Sequence, residues 1–160
     1  MRSLLRGLSK LPARVIGGRI QTSEIPIIVE AWATLAIVHW QLRRSGARRL
    51  KRQLDSTVQT PLEPASVGNL ARLVYLTDLA ARYHVREMNC LRRTLALGRV
   101  LERRGIPACI HIGTRIEDGK LFGHAWLSAF GEVLNDDPDI ARQFIEIPLD
   151  KWQGVTQFHE

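Results

Sequence analysis

Cysteine is scarce in this chain: its 160 residues include two, Cys90 and Cys109. Two cysteines cannot staple a domain of this size, so a secreted disulfide scaffold is excluded and a reducing cytoplasm is the expected compartment. No disulfide between the pair is expected. The metal-ligand spacings CxxC and HExxH are absent, and no metal or cofactor is expected. Aromatic residues make up only 6% of the chain. None interleaves with the basic run at 43–52, so nucleic acid is not an expected partner.

Uncharged apolar stretches are also short. Arg2, Arg6, Lys10, Arg14 and Arg19 interrupt Met1–Ile20, so no secretory signal core can form there. A surface-docked helix broken near Pro12 is expected instead. Ile25–Leu42 is largely apolar but holds Glu30, His39 and Gln41. It falls short of the ~20 residues a span needs, and a mid-segment glutamate is costly in lipid. We read it as a heavily buried helix and expect no membrane span. Acidic residues are sparse early in the chain. Residues 1–104 hold 19 basic and 7 acidic side chains, residues 105–160 hold 4 and 9. Six of the basic ones fall between Arg43 and Arg52, either a solvated helix end or a surface for an acidic partner.

What is present is a run of helices followed by strands. Helical spacing predicts a helix from Pro26 to Arg44, then a loop over Asp55–Ala65. A second helix, capped by Asn69, carries Leu70, Leu73, Val74, Thr77, Ala80 and Ala81 on one face. A third begins at Cys90, with Asn89 as N-cap and Gly105 and Pro107 as the stop. The period then changes. Ala108–Ile116 and Leu121–Phe130 read as strands joined by an Asp118-Gly119 hairpin turn. Gly131 turns into a short strand at Glu132–Asn135, and Phe144–Ile147 suggests a fourth. The expected fold is α+β, helices first and a small antiparallel sheet after. It forms one compact domain, with a helical and basic region at 1–65 and a catalytic core at 66–160.

Three residues in this layout can do chemistry together. Cys90 sits in a first helical turn, where exposed N–H groups and the macrodipole favour a thiolate. A thiolate nucleophile needs a base, and the base needs an orienter. His124 on the second strand and Asp136 past the third stand about equally far from the Gly131 turn, so the hairpin can bring them together. Asp137 and Asp139 are rival orienters. Asp136 is preferred because it lies nearest the strand end. Cys109, mid-strand, is expected to be buried and inert. His39, Tyr83, His84 and His111 have no comparable partners in sequence. Trp126 is expected to pack under the site, and Asn89 with the Cys90 N–H are the candidate oxyanion donors. Cysteine on a helix start with histidine and aspartate on successive strands is the papain-like or transglutaminase-like layout.

The pattern is more specific than that layout. Cys90-Leu91-Arg92-Arg93-Thr94-Leu95-Ala96-Leu97, Leu101-Glu102-Arg103-Arg104-Gly105-Ile106-Pro107-Ala108, His124-Ala125-Trp126-Leu127 and Val133-Leu134-Asn135-Asp136 occur in order. In this the chain resembles the transglutaminase-like leader peptidases of lasso-peptide biosynthesis, sharply over 88–136 and more loosely before. The resemblance implies a cysteine protease with Cys90 as nucleophile, His124 as general base and acid, and Asp136 as orienter of His124. It implies a ribosomally made precursor peptide as substrate and an ATP-using macrolactam synthetase acting afterwards. Residues 1–70 do not read as a winged-helix module, so a split form served by a separate leader-recognition protein is expected. Two readings stay beside it: an acyltransferase using the same three residues, and a non-catalytic module that docks a partner through the basic run.

Overall fold

The computed structural model describes residues 19–45 and 66–147. The expectations for the first helix near Pro12, the loop at 55–65 and most of the basic run lie outside them. A 3-10 turn, Thr22–Glu24, leads into α1, Ile25–Ser45. Then follow α2 (Ser66–Arg82), α3 (Cys90–Glu102), β1 (Cys109–Glu117), β2 (Lys120–Ala129), β3 (Glu132–Val133), a short α4 (Ile140–Gln143) and β4 (Ile145–Glu146). The strands form one antiparallel sheet in the order β3-β2-β1-β4. The α+β expectation therefore holds. α4 was not expected. α2 begins at Ser66, so Asn69 lies inside its first turn rather than capping it.

The local causes are legible. The 3-10 turn before α1 is closed by a capping-box contact, the Gln21 N–H donating to Glu24 Oε2 at 2.8 Å. Arg43 and Arg44 in its last turn favour the negative helix end. α3 starts at Asn89, whose side-chain oxygen accepts the Arg92 N–H at 3.2 Å. It stops at Gly105 in a left-handed conformation (φ 66°). There the Ile106 N–H reaches the Leu101 carbonyl at 3.0 Å and the Gly105 N–H reaches that of Glu102 at 2.9 Å, a Schellman closure. The β1–β2 hairpin turns on Asp118 (φ 51°) and Gly119 (φ 74°), the primed turn an Asp-Gly pair favours.

α3 is the central element. Leu91, the run Thr94–Gly98, Val100 and Leu101 are all buried, because α1 and α2 cover one side and the sheet the other. Ile110, Ile112, Ala125 and Leu127 supply the sheet side of this core, and Leu35, Val38, Leu70 and Leu73 the helical side. Arg103 and Arg104 at the end of α3 both pair with Glu30 of α1 (3.2 and 2.6 Å). Arg72 of α2 grips Glu24 through Nε at 2.6 Å and NH2 at 2.8 Å.

α1 departs from expectation. It is not heavily buried: only its Ala31, Thr34, Leu35 and Val38 side is covered, while Val29 is 59% and Trp40 54% exposed. Among the described residues the helix has neighbours on one side only, and the apolar residues spread around it do not reveal that. By length and composition Thr22–Arg44 could cross a membrane. Its covered side packs on α2 and α3 in the manner of a core helix.

Leu101 is fully buried where α3 ends. Leu101→Ala should lower unfolding free energy by about 2–5 kcal/mol, measured as a fall in the urea midpoint at unchanged m-value.

Candidate functional site

Cys90 occupies the first position of α3, half-buried, directly after the Asn89 cap. His124 lies in β2 opposite Gly113 of β1. Asp136 lies three residues past β3. The fold brings all three together. His124 Nε2 meets Asp136 Oδ2 at 2.6 Å, and the other Asp136 oxygen accepts the Asp137 N–H at 2.8 Å. That leaves Nδ1 as the ring nitrogen available to the Cys90 thiol. Asp136 is thus the carboxylate that meets His124. Asp137 instead accepts the Asp139 N–H, and Asp139 pairs with Arg142.

The electrostatics follow from these contacts. The hydrogen bond that His124 gives to Asp136, then that to Cys90, hold the His124 pKa up at about 9 from an ordinary 6.5, against the opposing effect of burial. Burial pushes the Asp136 carboxyl upward. The His124 hydrogen bond, the Asp137 N–H and nearby Arg93 outweigh it and hold the group below the usual carboxylate range.

Two polar residues that the sequence did not single out build the site. Asn135 Oδ1 accepts the Leu127 N–H at 2.7 Å, while its Nδ2 donates to Thr94 Oγ1 at 3.0 Å. Thr94 Oγ1 donates in turn to the Ala125 carbonyl at 3.0 Å. Thr94 is one helical turn beyond Cys90, Ala125 follows His124 and Asn135 precedes Asp136. A threonine on the wholly buried face of an apolar helix was the available signal.

Aromatic rings fix the His124 ring from the side. Phe144 stacks on it at 5.1 Å between centroids and Trp126 at 6.3 Å. Trp126, 2% exposed, packs under the site as expected. Gly113 makes room: a Cβ there would stand 2.7 Å from Phe144 Cβ and 3.0 Å from the Trp126 ring.

Two expectations need correction. Cys109 is not buried. It opens β1 at an exposed position, on the sheet face opposite the core residues Ile110 and Ile112. His111 is not without partners: Nδ1 meets Glu146 at 2.8 Å and Nε2 meets Ser128 Oγ at 2.6 Å. The Glu146 partner arrives on β4, which the sequence placed but could not pair. Asn89 spends its side-chain oxygen on the helix cap. Both cysteines are free thiols. Among the described residues no cluster of His, Cys, Asp and Glu could hold a metal ion.

A family model described as the transglutaminase-like superfamily matches residues 32–148, which include the whole arrangement. The chain belongs to the transglutaminase-like superfamily. It is also similar to the microcin J25-processing protein McjB of Escherichia coli, 25% identical over 107 residues. That match covers 63% of this chain and 47% of McjB, so the chain spans about half the length of the curated relative. No solved structure matches. The transglutaminase-like assignment agrees with helices preceding a small antiparallel sheet.

The His124 contacts set a pH dependence. A folded value raised from 6.5 to about 9 stabilises the fold fully below 6.5, and that contribution is lost as pH rises through about 9. Asp136→Asn removes the largest cause, so the His124 ring should titrate nearer 6.5, read from its C–H resonances by NMR. Thr94→Val breaks both hydrogen bonds of its hydroxyl. It should cost about 1–3 kcal/mol in denaturant unfolding and broaden or move the His124 resonances.

Proposed function

We propose that this chain is a cysteine peptidase that removes the leader from a ribosomally made lasso-peptide precursor, with Cys90, His124 and Asp136 as its catalytic residues. The observation that carries the reading is the Cys90 helix start set against the His124–Asp136 pair at 2.6 Å. Similarity to a microcin J25-processing protein supports the substrate class.

The Cys90 sulfur, as thiolate beside the His124 imidazolium, attacks the carbonyl carbon at the leader–core junction. A C–S bond forms and the carbonyl oxygen gains the charge. The Cys90 backbone N–H at the α3 start is a donor for that oxyanion, and one well-placed donor is worth roughly 2.7–4 kcal/mol. As the C–N bond breaks, His124 Nδ1 gives its proton to the departing core amine. Water, deprotonated by His124, then attacks the thioester and releases the leader with a carboxylate end. Asp136 on Nε2 keeps the ring facing the sulfur throughout. The partners are the precursor, a separate leader-recognition protein and the ATP-dependent macrolactam synthetase that takes up the freed amine. The free thiols suit a cytoplasmic setting.

Superfamily membership favours one further reading, acyl transfer from the same thioester to an amine. Product mass separates the two, because hydrolysis adds water and transfer adds the amine.

Cys90→Ala should abolish precursor cleavage. Below the ordinary thiol value of about 8.5, Cys90 should be alkylated faster than Cys109, and His124→Ala should remove that advantage. Peptide mass spectrometry after timed labelling reads both cysteines. Equal rates, or cleavage by Cys90→Ala, would sink the assignment.

A further inference from the structure

β4 carries more of the site than its length suggests. It is two residues long and pairs with β1 only at Gly113 with Glu146 and Thr114 with Ile145. One more bond runs from the Ile147 N–H to the Ile112 carbonyl at 2.8 Å. Among the described residues β4 is an edge of the sheet, and Ile145 is 78% exposed. Phe144, the residue just before β4, is the ring that stacks on His124 at 5.1 Å. This wall of His124 therefore hangs from a strand with few backbone bonds.

A side-chain bridge adds to those bonds. His111 Nδ1 donates to Glu146 Oε1 at 2.8 Å. In the neutral ring that leaves Nε2 to accept the Ser128 O–H at 2.6 Å. One imidazole thus ties β4, β1 and β2 together. The bridge lies close to the site by two routes. Gly113 of β1 faces Glu146 on one side and His124 on the other. Trp126 is shared by the two histidines, with His111 stacked on it at 5.4 Å and His124 at 6.3 Å. Phe144 fits over Gly113 beside the same indole, at 6.3 Å between centroids.

We infer that His111 and Glu146 are positioning residues for His124: their bridge holds segment 144–146 on the sheet, so that Phe144 keeps the His124 ring turned to Cys90. The inference rests on the peptidase reading for the task it assigns to His124. Neither residue touches the reacting atoms. The need for such support follows from the Asp136 contact. One hydrogen bond at 2.6 Å fixes the place of Nε2 but not the plane of the ring. That plane is set by Phe144 and Trp126, and the aim of Nδ1 depends on it. Phe144 and Glu146 stand two residues apart in one segment. Loss of the bridge at Glu146 therefore loosens the ring contact at Phe144.

The test compares Glu146→Ala with Glu146→Gln in the full chain. Glutamine keeps an oxygen for the His111 N–H and loses the charge. The Glu146 side chain is 55% exposed, so neither variant should move the urea midpoint much. Two readouts report on the site: the titration of His124 by NMR, and Cys90 alkylation at pH 7 against a free cysteine peptide. Cys109 is not the reference here, because it lies opposite Ser128 beside the bridge. In Glu146→Ala the His124 ring, free to tip from Asp136, should titrate about one pH unit below its value of about 9. Cys90 labelling should slow about tenfold with it. Glu146→Gln should stay near wild type in both. A merely structural tie would lower the midpoint and leave both readouts alone. Unchanged readouts in Glu146→Ala would overturn the inference. So would equal losses in the two variants, which would assign the effect to the charge of Glu146 rather than to its bond. Slow Cys90 labelling in the wild-type chain would count against the peptidase reading instead, and the His124 titration would still judge the bridge.

Discussion

The exposed edge of β2 is the constraint on which this molecule's site depends. β3 is two residues long and pairs only with Ser128 and Ala129. The β2 backbone from His124 to Leu127 would otherwise present unpaired groups to a dry interior, which folded proteins avoid. Thr94 takes the Ala125 carbonyl, Asn135 takes the Leu127 N–H and Leu134 donates to the Leu127 carbonyl at 2.9 Å. Each of these partners lies within one turn or two residues of Cys90 or Asp136. Satisfying the strand edge and bringing Cys90, His124 and Asp136 together are therefore the same event. A longer β3 would complete the ladder and keep α3 away from His124.

The opposite flank of His124 is held by shape rather than by hydrogen bonds. Phe144 and Trp126 lie against its ring, and a glycine at 113 lets them approach. Arg115 stacks on Phe144 from outside at 5.0 Å. The ring thus has a carboxylate on one nitrogen, a thiol facing the other, and aromatic walls that prevent tipping. Such support lets a proton move without side-chain reorganisation, the condition for efficient general acid–base work.

Most of this could be read from residues alone where a local signal acts. Asn89 before Cys90, Gly105 after Arg104 and the Asp118-Gly119 pair fix element ends through short-range chemistry. Counting outward from Gly131 brought His124 and Asp136 together, because hairpin register is arithmetic. What stayed hidden depends on neighbours distant in sequence. α1 is apolar all round, so its pattern could not say which side is covered. Cys109 looks like a mid-strand core residue until Ile110 and Ile112 take the face that meets the helices and leave it on the other. Asn135 reads as the last residue of a short strand until Thr94, 41 positions away, arrives beside it.

One sheet carries two histidine–carboxylate pairs, which shows why proximity alone does not make a catalytic site. His111 bridges Glu146 and Ser128 with distances as short as those at His124. Yet Ser128 sits within β2 with strands on both sides, opposite Cys109 and Val133. Its backbone is committed to the sheet on both sides. Cys90 differs on that point. It stands at the first position of α3, where N–H groups have no helical acceptor. In the proposed reading, reactivity follows from a nucleophile placed at a helix N-terminus and a histidine brought to it. The His111 bridge, lacking the first of these, ties β4 to the sheet and so keeps Phe144 against His124.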